Sequence, residues 1–340
     1  MQNLPKHILV IRLSAMGDVA MSIPVLRAFV EQYPDVKLTV LTREFFKPFF
    51  RDLPNVSVFA ADVKGKHKGI LGLYKLSKEL KKQDIDAVAD LHNVLRSNIL
   101  KFFLIGKTFA QIDKGRAEKK DLVFGGNRKQ LKTTHQRYVD VFQKLGFKID
   151  ISNPTFPETK PLDKKSLQIT GSKTTKWIGI APFAAYKSKV YPLDKMVDVI
   201  DALSKNYKIF LFGGGDKEIS FLEPLAATYN NVVNLAGKLS LEEELNVISN
   251  LDVMLSMDSG NGHLAAMLGK KVITIWGVTH PYAGFVPFNQ PEEQQLLSDR
   301  KLFPKIPTSI YGNKFPEGYE QAAGSISPET IVSKIKDVIV

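Results

Sequence analysis

The chain has 340 residues, of which 44% are apolar and 24% charged, as in an ordinary globular protein of one or two domains. It has no cysteine, which excludes disulfides and thiolate metal sites and favours a cytoplasmic location. A formal net charge of +12 favours anionic partners, and no apolar run reaches the roughly 18 residues of a membrane-spanning helix.

Short apolar runs alternate with helix-like periodicity from the start of the chain. The first run, HILVIRL, is interrupted by Arg12 and is predicted to be a buried strand and not a signal peptide. Apolar strands alternating with helices indicate a parallel sheet covered on both faces. The strands predicted in this half are 7–13, 37–43, 55–62 and 87–91, and the helices are 19–34, 70–82, 93–105 and 133–146.

Residues 151–175 break this rhythm, because three prolines and many polar residues without periodicity predict a linker with one edge strand. The alternation then restarts. The strands predicted after the linker are 177–182, 208–214, 232–237, 252–258 and 271–277, and the helices are 193–203, 217–229, 241–250 and a last one beginning near Ser327.

This pattern predicts the α/β class with two doubly wound, Rossmann-like domains. Ligands bind such sheets at the carboxyl ends of the strands, so the expected site is a cleft that the two domains face. The predicted domains are residues 1–160 and 172–325, with a helix at 326–340 that packs across the domain joint.

The stretch MDSGNGHLAAML connects a predicted strand to a predicted helix. Asp258 ends the strand, and Ser259 and Gly260 begin a helix whose exposed N–H groups suit a phosphate. The alternative is that Asp258 and Ser259 only cap the helix and that His263 is a core residue. A metal held by Asp258 and His263 is disfavoured, since no third ligand is near.

Two other strand ends could contact a nucleotide. Lys189, with Lys187 as an alternative, could neutralise a diphosphate, or it could be a surface lysine. The glycines at 213–215 allow close ligand approach, and Glu218 could accept hydrogen bonds from ribose hydroxyls or could simply favour the helix dipole. Neither stretch matches GxGxxG, so a nicotinamide enzyme is not supported.

The first half repeats this geometry in RLSAMGDVA. Asp18 lies near a predicted helix start, where it could act as a general base or as a helix cap. A second cluster, DLHNVLRSN, follows strand 87–91 and brings His92, Asn93 and Arg96 to the same edge. Arg96 could hold a carboxylate or phosphate through a bidentate contact.

With these residues in place, the chain resembles the lipopolysaccharide heptosyltransferases, the ADP-heptose-using glycosyltransferase family 9 with the GT-B fold. Five stretches match in order over about residues 6–285, and the last is the most specific. They are ILVIRLSAMGDVAMSIPVLRA, DLHNVLRS, APFAAYKSKVYP, FLFGGGDKE and NLAGKLSLEEELNVISNLDVMLSMDSGNGHLAAMLGKKVITIWGVTHP.

The resemblance implies roles for individual residues. Asp18 matches the family's proposed catalytic base, Lys189 the lysine of a Lys-x-Trp-Pro motif that contacts the donor phosphates, and Glu218 a glutamate associated with the donor ribose. The other donor-binding residues implied are Leu239, near the adenine, and Asp258, Ser259, Gly260 and His263. The acceptor-binding residues implied are Ser14, Met16, Gly17, His92, Asn93 and Arg96.

The chain departs from the family pattern at two places. Tyr191 replaces the tryptophan of the motif and should keep its aromatic packing. Ala184 and Ala185 stand where some members have polar residues that contact the donor phosphates, which leaves the exact nucleotide-sugar open.

The activity implied is an inverting transfer of heptose from ADP-heptose to a hydroxyl of the lipopolysaccharide inner core, on Kdo or on heptose, with no metal or other cofactor. The N-terminal domain would bind the acceptor, and the C-terminal domain would bind the nucleotide-sugar. The enzyme would be peripheral on the cytoplasmic face of the inner membrane. The basic stretches 64–82 and 114–132 would face the acceptor or the membrane surface.

Three other functions stay open. One is a GT-B glycosyltransferase or epimerase that uses another nucleotide-sugar, and a second is a binding module without turnover. The third is a nucleic-acid binder, which rests on charge alone because no recognition motif accompanies the lysines, so nucleic acid is not expected as a partner.

Overall fold

The computed structural model describes residues 4–126 and 128–339 and contains α-helices and parallel strands in alternation. The strands are β1 (His7–Ile11), β2 (Lys37–Thr42), β3 (Val56–Ala60), β4 (Ala87–Asp90), β5 (Thr108–Gln111), β6 (Trp177–Ala181), β7 (Lys208–Leu211), β8 (Val232–Asn234), β9 (Val253–Met257), β10 (Lys271–Trp276) and β11 (Gln295–Leu297). The helices are α1 (Met16–Ala20), α2 (Ser22–Gln32), α3 (Gly69–Lys81), α4 (Leu95–Phe103), α5 (Arg116–Phe124), α6 (Thr134–Lys144), α7 (Lys164–Thr170), α8 (Leu193–Ser204), α9 (Asp216–Thr228), α10 (Leu241–Asn250), α11 (Gly260–Met267) and α12 (Pro328–Ile339).

The chain divides into two compact units. The first comprises residues 1–114 and 134–155, and the second comprises residues 115–133 and 156–340. The short helix α5 therefore belongs to the second unit, although the segments before residue 115 and after residue 133 belong to the first. The final helix α12 packs on α8, β9 and β10 of the second unit.

The first unit is built on a parallel sheet with strand order β3-β2-β1-β4-β5. From β1 the chain adds β2 and β3 on one side, and it then adds β4 and β5 on the other side of β1. The topological switch point therefore lies between β1 and β4. Doubly wound sheets bind ligands at this point, beyond the carboxyl ends of the two strands.

The second unit repeats this plan with strand order β11-β10-β9-β6-β7-β8, all parallel. Its switch point lies between β6 and β9. Both strands are mostly apolar and fully buried, because helices cover both faces of the sheet. The predicted α/β class with two doubly wound, Rossmann-like parallel sheets is confirmed.

The prediction for residues 151–175 is wrong in its secondary structure. This stretch contains α7 and no strand, and the structure describes every residue of it. Asp163 caps the helix, since its carboxylate accepts a hydrogen bond from the Ser166 N–H at 2.6 Å.

The predicted helix at 93–105 starts later, at Leu95, as the first helix after β4. Asn93 has a φ of +43°, which lies in the left-handed region and cannot continue a right-handed helix.

Candidate active site

The switch point of the second sheet holds a buried ion pair. Lys189 ends a single 3-10 turn in the loop after β6, and Asp258 follows β9 directly. The Lys189 Nζ lies 2.9 Å from the Asp258 Oδ2, and the two side chains are 13% and 8% exposed. The pair therefore places one cation at the ligand-binding edge of the sheet and holds it there by a carboxylate.

Three neighbours fix this pair. The Thr279 hydroxyl, in the loop after β10, donates a hydrogen bond to the Asp258 Oδ2 at 2.8 Å. Gly277 lets the lysine loop approach, since a Cβ there would lie 2.1 Å from the Ser188 carbonyl oxygen. A Cβ on Gly312 would meet the Lys189 stem at 2.6 Å. The position of the cation thus depends on small residues outside the motif that contains it.

The helix α11 begins beside Asp258. The Ser259 hydroxyl is buried and has no hydrogen-bond partner among the described residues, and the first N–H groups of any helix lack an acceptor within it. Gly262 leaves room for Ser256, whose Oγ would lie 2.5 Å from a Cβ there. His263 lies on the same helix and is buried. Such a helix start suits an anion.

The two other predicted donor residues follow neighbouring strands at the same edge. Glu218 lies in the first turn of α9, after β7, and its Oε2 accepts a hydrogen bond from the Gly214 N–H at 2.7 Å. Leu239 lies after β8, half-buried, just before the Ser240 cap of α10. Strand spacing sets these positions about 5 Å and 10 Å along the sheet from the loop of Lys189.

The switch point of the first sheet holds a second ion pair, between Arg12 after β1 and Asp18 in α1. The Arg12 Nη2 lies 2.5 Å from the Asp18 Oδ2, and the Arg12 Nη1 donates to the Leu91 carbonyl oxygen at 2.5 Å. Arg12 is buried, whereas the Asp18 side chain is 32% exposed. The Ala15 N–H also donates to the Asp18 Oδ2, at 3.3 Å. Asp18 is thus held through one oxygen and is accessible.

The loop after β4 is organised by Asp90, which is fully buried. Its Oδ1 accepts hydrogen bonds from the N–H groups of His92 and Asn93, each at 2.9 Å, and its Oδ2 accepts one from Gln111 at 2.9 Å. Asn93 uses its side-chain amide to donate to the Ile112 carbonyl oxygen at 2.9 Å, so it shapes the turn.

His92 is buried beside the Arg12–Asp18 pair. Burial is the main reason that the pKa of His92 falls to about 4, and the nearby Arg12 and Lys114 cations lower it further. The imidazole is therefore neutral near pH 7. Arg96 is half-buried in the first turn of α4. The hydroxyl of the buried Tyr138, in α6, donates a hydrogen bond to the Asp18 carbonyl oxygen at 3.1 Å.

The first unit thus brings most of the predicted acceptor residues to one switch point. Ser14, Met16 and Gly17 lie half-buried between β1 and Asp18, and His92 and Asn93 follow the adjacent strand β4. The sequence reading missed Arg12, Asp90, Tyr138 and Thr279. A charged or polar residue at the end of an apolar strand was the available signal for Arg12 and Asp90, and no sequence signal pointed to Tyr138.

The substituted motif position Tyr191 is fully buried, and its hydroxyl donates to the Ile326 carbonyl oxygen at 2.8 Å. Burial raises the pKa of Tyr191 to about 12. The ring packs in the hydrophobic core of the second unit, and its hydroxyl ties the lysine loop to the segment before α12.

No cluster of three or more His, Asp or Glu side chains suited to a metal ion occurs in residues 4–126 and 128–339. Within that part of the chain, no helix is long and apolar enough to cross a membrane.

Residues 73–305 match glycosyltransferase family 9 (heptosyltransferase) over more than half of the chain. The chain belongs to glycosyltransferase family 9. It is 24% identical to the lipopolysaccharide core heptosyltransferase OpsX of Haemophilus influenzae, over 82% of this chain and 80% of that protein. The family prediction is confirmed, and with it the enzyme class of glycosyltransferase.

Solved structures show the same fold. A glycosyltransferase family 9 protein from Veillonella parvula superposes with a TM-score of 0.76 at 20% identity, over 100% of this chain and 98% of that one. The E. coli heptosyltransferase WaaC, solved with ADP-2-deoxy-2-fluoro heptose, gives a TM-score of 0.67 at 20% identity, over 97% of this chain and 99% of that one. The prediction of the GT-B fold for this family 9 member is confirmed.

Proposed function

We propose that this glycosyltransferase transfers heptose from ADP-heptose to a hydroxyl of the lipopolysaccharide inner core, with inversion and without a metal ion. The observation that carries the proposal is the buried Lys189–Asp258 pair, which fixes a cation beside the start of α11. The ligand of WaaC supports an ADP-heptose donor, and the relative from H. influenzae supports a lipopolysaccharide core acceptor.

The second unit would bind the donor. Lys189 and the N–H groups of Ser259 and Gly260 would stabilise the diphosphate as negative charge develops on it, which is the task that a divalent metal performs elsewhere. Asp258 would act by positioning Lys189, since its carboxylate contacts the Lys189 amine and the Thr279 hydroxyl.

The rest of the donor would extend along the same edge of the sheet. Glu218 would accept hydrogen bonds from the ribose hydroxyls, and Leu239 would pack near the adenine. His263 would complete the wall of the phosphate site from within α11.

The first unit would bind the acceptor, whose hydroxyl is deprotonated as it attacks. Asp18 would take this proton, because its carboxylate is accessible and Arg12 holds it in place. The hydroxyl oxygen then bonds to the anomeric carbon, the bond from that carbon to ADP breaks, and ADP leaves with the electron pair.

Other acceptor contacts would come from the same switch point. His92, which is neutral near pH 7, would give a hydrogen bond without adding charge, and Asn93 would hold the loop. Arg96 would bind an anionic group of the acceptor. Ser14, Met16 and Gly17 would form the wall next to Asp18.

The partners follow from this reaction. The acceptor would be Kdo-lipid A or a heptosyl inner core, so the enzyme would work as a peripheral protein at the cytoplasmic face of the inner membrane. The basic stretch 64–82 would face this anionic surface.

Thermal-shift measurements with ADP, UDP, GDP and NAD, without metal, test the donor on the wild type and on Lys189→Ala. ADP should protect the wild type selectively, and the protection should vanish in the variant. Transfer of heptose from ADP-heptose to an inner-core acceptor then tests the reaction.

A second candidate is a GT-B enzyme, transferase or epimerase, that uses another nucleotide-sugar. It is favoured by Ala184 and Ala185, which provide no hydroxyl donors to the phosphates. Equal protection by UDP or GDP would select it over the first proposal.

A further inference from the structure

The helices α3 and α4 of the first unit expose large apolar side chains to solvent. Ile70 and Leu71, in the first turn of α3, are 64% and 79% exposed, and Tyr74, one turn later, is 45% exposed. Phe102, in the last turn of α4, and Ile105, just after it, are 69% and 74% exposed. Single exposed apolar residues are common, but a group of this size marks an interaction site.

These side chains form one surface. The helices α3 and α4 pack against each other. The Tyr74 ring contacts the Phe103 ring edge-on, with centroids 5.5 Å apart, and the Phe103 ring in turn contacts Phe102 at 5.8 Å. Ile70 and Leu71 lie four and three residues before Tyr74 and share its face of the helix. We call the group Ile70, Leu71, Tyr74, Phe102 and Ile105 the α3–α4 surface.

The chain around this surface is strongly cationic. Segments 64–82 and 95–107 contain ten lysine and arginine residues against one carboxylate, Glu79. Glu79 is already paired, with the Lys66 Nζ at 2.8 Å and the His67 Nε2 at 3.4 Å. The Lys78 Nζ lies 4.7 Å from the centroid of the Tyr74 ring, so charge borders the apolar side chains directly.

We propose that the α3–α4 surface docks on a bilayer rich in anionic lipid, with its apolar side chains among the upper acyl carbons and its lysines at the phosphates. Exposed apolar residues bordered by lysines are typical of proteins that lie in the membrane interface. A second copy of the chain is a poor occupant, because the same excess of cations would face itself across the contact.

The proposal extends the proposed function. It rests on that function in one respect, since a lipid-linked acceptor would be reached at a membrane. It assigns the docking to named apolar side chains, none of which is a proposed donor or acceptor contact. Docking and transfer can therefore be measured separately.

The first experiment is co-sedimentation of the full chain with vesicles of phosphatidylglycerol and phosphatidylethanolamine, and with vesicles of phosphatidylcholine. The wild type should bind the anionic vesicles, and the binding should weaken as salt is added. The variant Leu71→Gln/Phe102→Gln should bind about 100-fold more weakly, at about tenfold for each lost side chain. The matched control is Leu302→Gln, which changes a 67% exposed leucine of the second unit and should bind like the wild type.

The proposal is overturned if the double variant binds anionic vesicles as tightly as the wild type, or if Leu302→Gln weakens binding equally. It is also overturned if the wild type ignores vesicles but forms dimers that the double variant abolishes, since the surface would then bind a second copy. Both substitutions change exposed side chains, and an unchanged melting temperature shows that the fold is intact.

Transfer to a deacylated, water-soluble inner-core acceptor separates this proposal from the proposed function. The double variant should keep wild-type turnover with this acceptor while losing vesicle binding. Vesicle binding that depends on Leu71 and Phe102, in a chain that transfers no heptose, would support the docking and refute the function. Heptose transfer by a chain that does not bind vesicles in this way would support the function and refute the docking.

Discussion

The ion pair of the second unit leads to a prediction that combines stability and binding. Lys189→Met removes the charge but keeps an unbranched stem against Gly312. It leaves Asp258, 8% exposed, with its hydrogen bond from Thr279 and no described cation beside it. Breaking a buried pair from one side costs about 3–5 kcal/mol, and the partial exposure of Lys189 favours the lower end, about 3 kcal/mol of unfolding free energy.

The partner variant, Asp258→Asn, can keep a hydrogen bond with Thr279 and removes the carboxylate. The double variant has no buried charge left without a counter-ion, so its loss of stability should be about 2 kcal/mol smaller than the sum of the two single losses. Urea unfolding of the four proteins measures this coupling. Losses that simply add would show that the two groups do not stabilise each other.

Calorimetric titration with ADP tests the binding half of the prediction on the same proteins. Lys189→Met should weaken ADP binding about 100-fold, or about 2.7 kcal/mol, because the diphosphate loses its cation. Asp258→Asn should weaken it by about tenfold or less, since the lysine remains but is held less firmly. The control is Lys187→Met, two residues away. The Lys187 side chain is 72% exposed, so its replacement should leave the affinity within about twofold. Equal ADP affinities for Lys189→Met and the wild type would refute this placement of the diphosphate.

Three other predictions concern the first unit and the chemistry. Asp18→Asn should lower kcat about 10³-fold and leave the affinity for ADP unchanged. A variant with weaker ADP binding and unchanged kcat would show that Asp18 is not the base. The pKa of His92 is about 4 in the folded chain and near 6.5 in the unfolded chain. Between these pH values the unfolded state binds more protons, so the free energy of unfolding falls as the pH drops from about 6.5 to 4. This shift in pKa corresponds to about 3 kcal/mol of unfolding free energy. Urea unfolding at each pH should show a flatter dependence of stability on pH in His92→Gln, and a dependence parallel to that of the wild type would contradict the prediction. Turnover should be unchanged after dialysis against EDTA, and a loss that Mg²⁺ restores would contradict the metal-free mechanism.

The sheet strands that sequence could predict are those with continuous apolar runs. The strands β1, β6 and β9 are covered on both faces and almost entirely apolar, and the sequence predicted all three. The edge strands β5 and β11 were not predicted, since they have only four and three residues, which is too short for a periodic signal. Their existence depends on pairing with β4 and β10.

The same division applies to the helices. The helix α10 has the bounds that were predicted, 241–250. In the structure Ser240 and Glu243 form a capping box at its start, so its N-terminal boundary depends on local contacts. By contrast, α5 buries only Lys119 and Leu122, and its sequence is mostly charged. It packs against residues 281–283, about 160 residues away in sequence, and no local pattern encodes that contact.

For the candidate site, local motifs indicated the residues at strand ends, and the topology supplied their partners. Asp18 and Lys189 were predicted, and Asp258 was predicted as a donor contact. That Asp258 pairs with Lys189 follows from the pairing of β6 with β9, and that Arg12 also binds the Leu91 carbonyl oxygen follows from the pairing of β1 with β4. Strand order is a long-range property, so these contacts could be found only in the folded chain.

The division of the chain also limits how the enzyme can be dissected. The polypeptide passes from one unit to the other at three places, near residues 114, 133 and 155, so no single peptide-bond cleavage yields two complete halves. A fragment ending at residue 155 would contain α5 without residues 281–283, on which it packs. The remaining fragment would contain those residues without α5. A gene fusion that exchanges only the second unit with that of a relative must therefore carry residues 115–133 with it, as an insertion within the first unit.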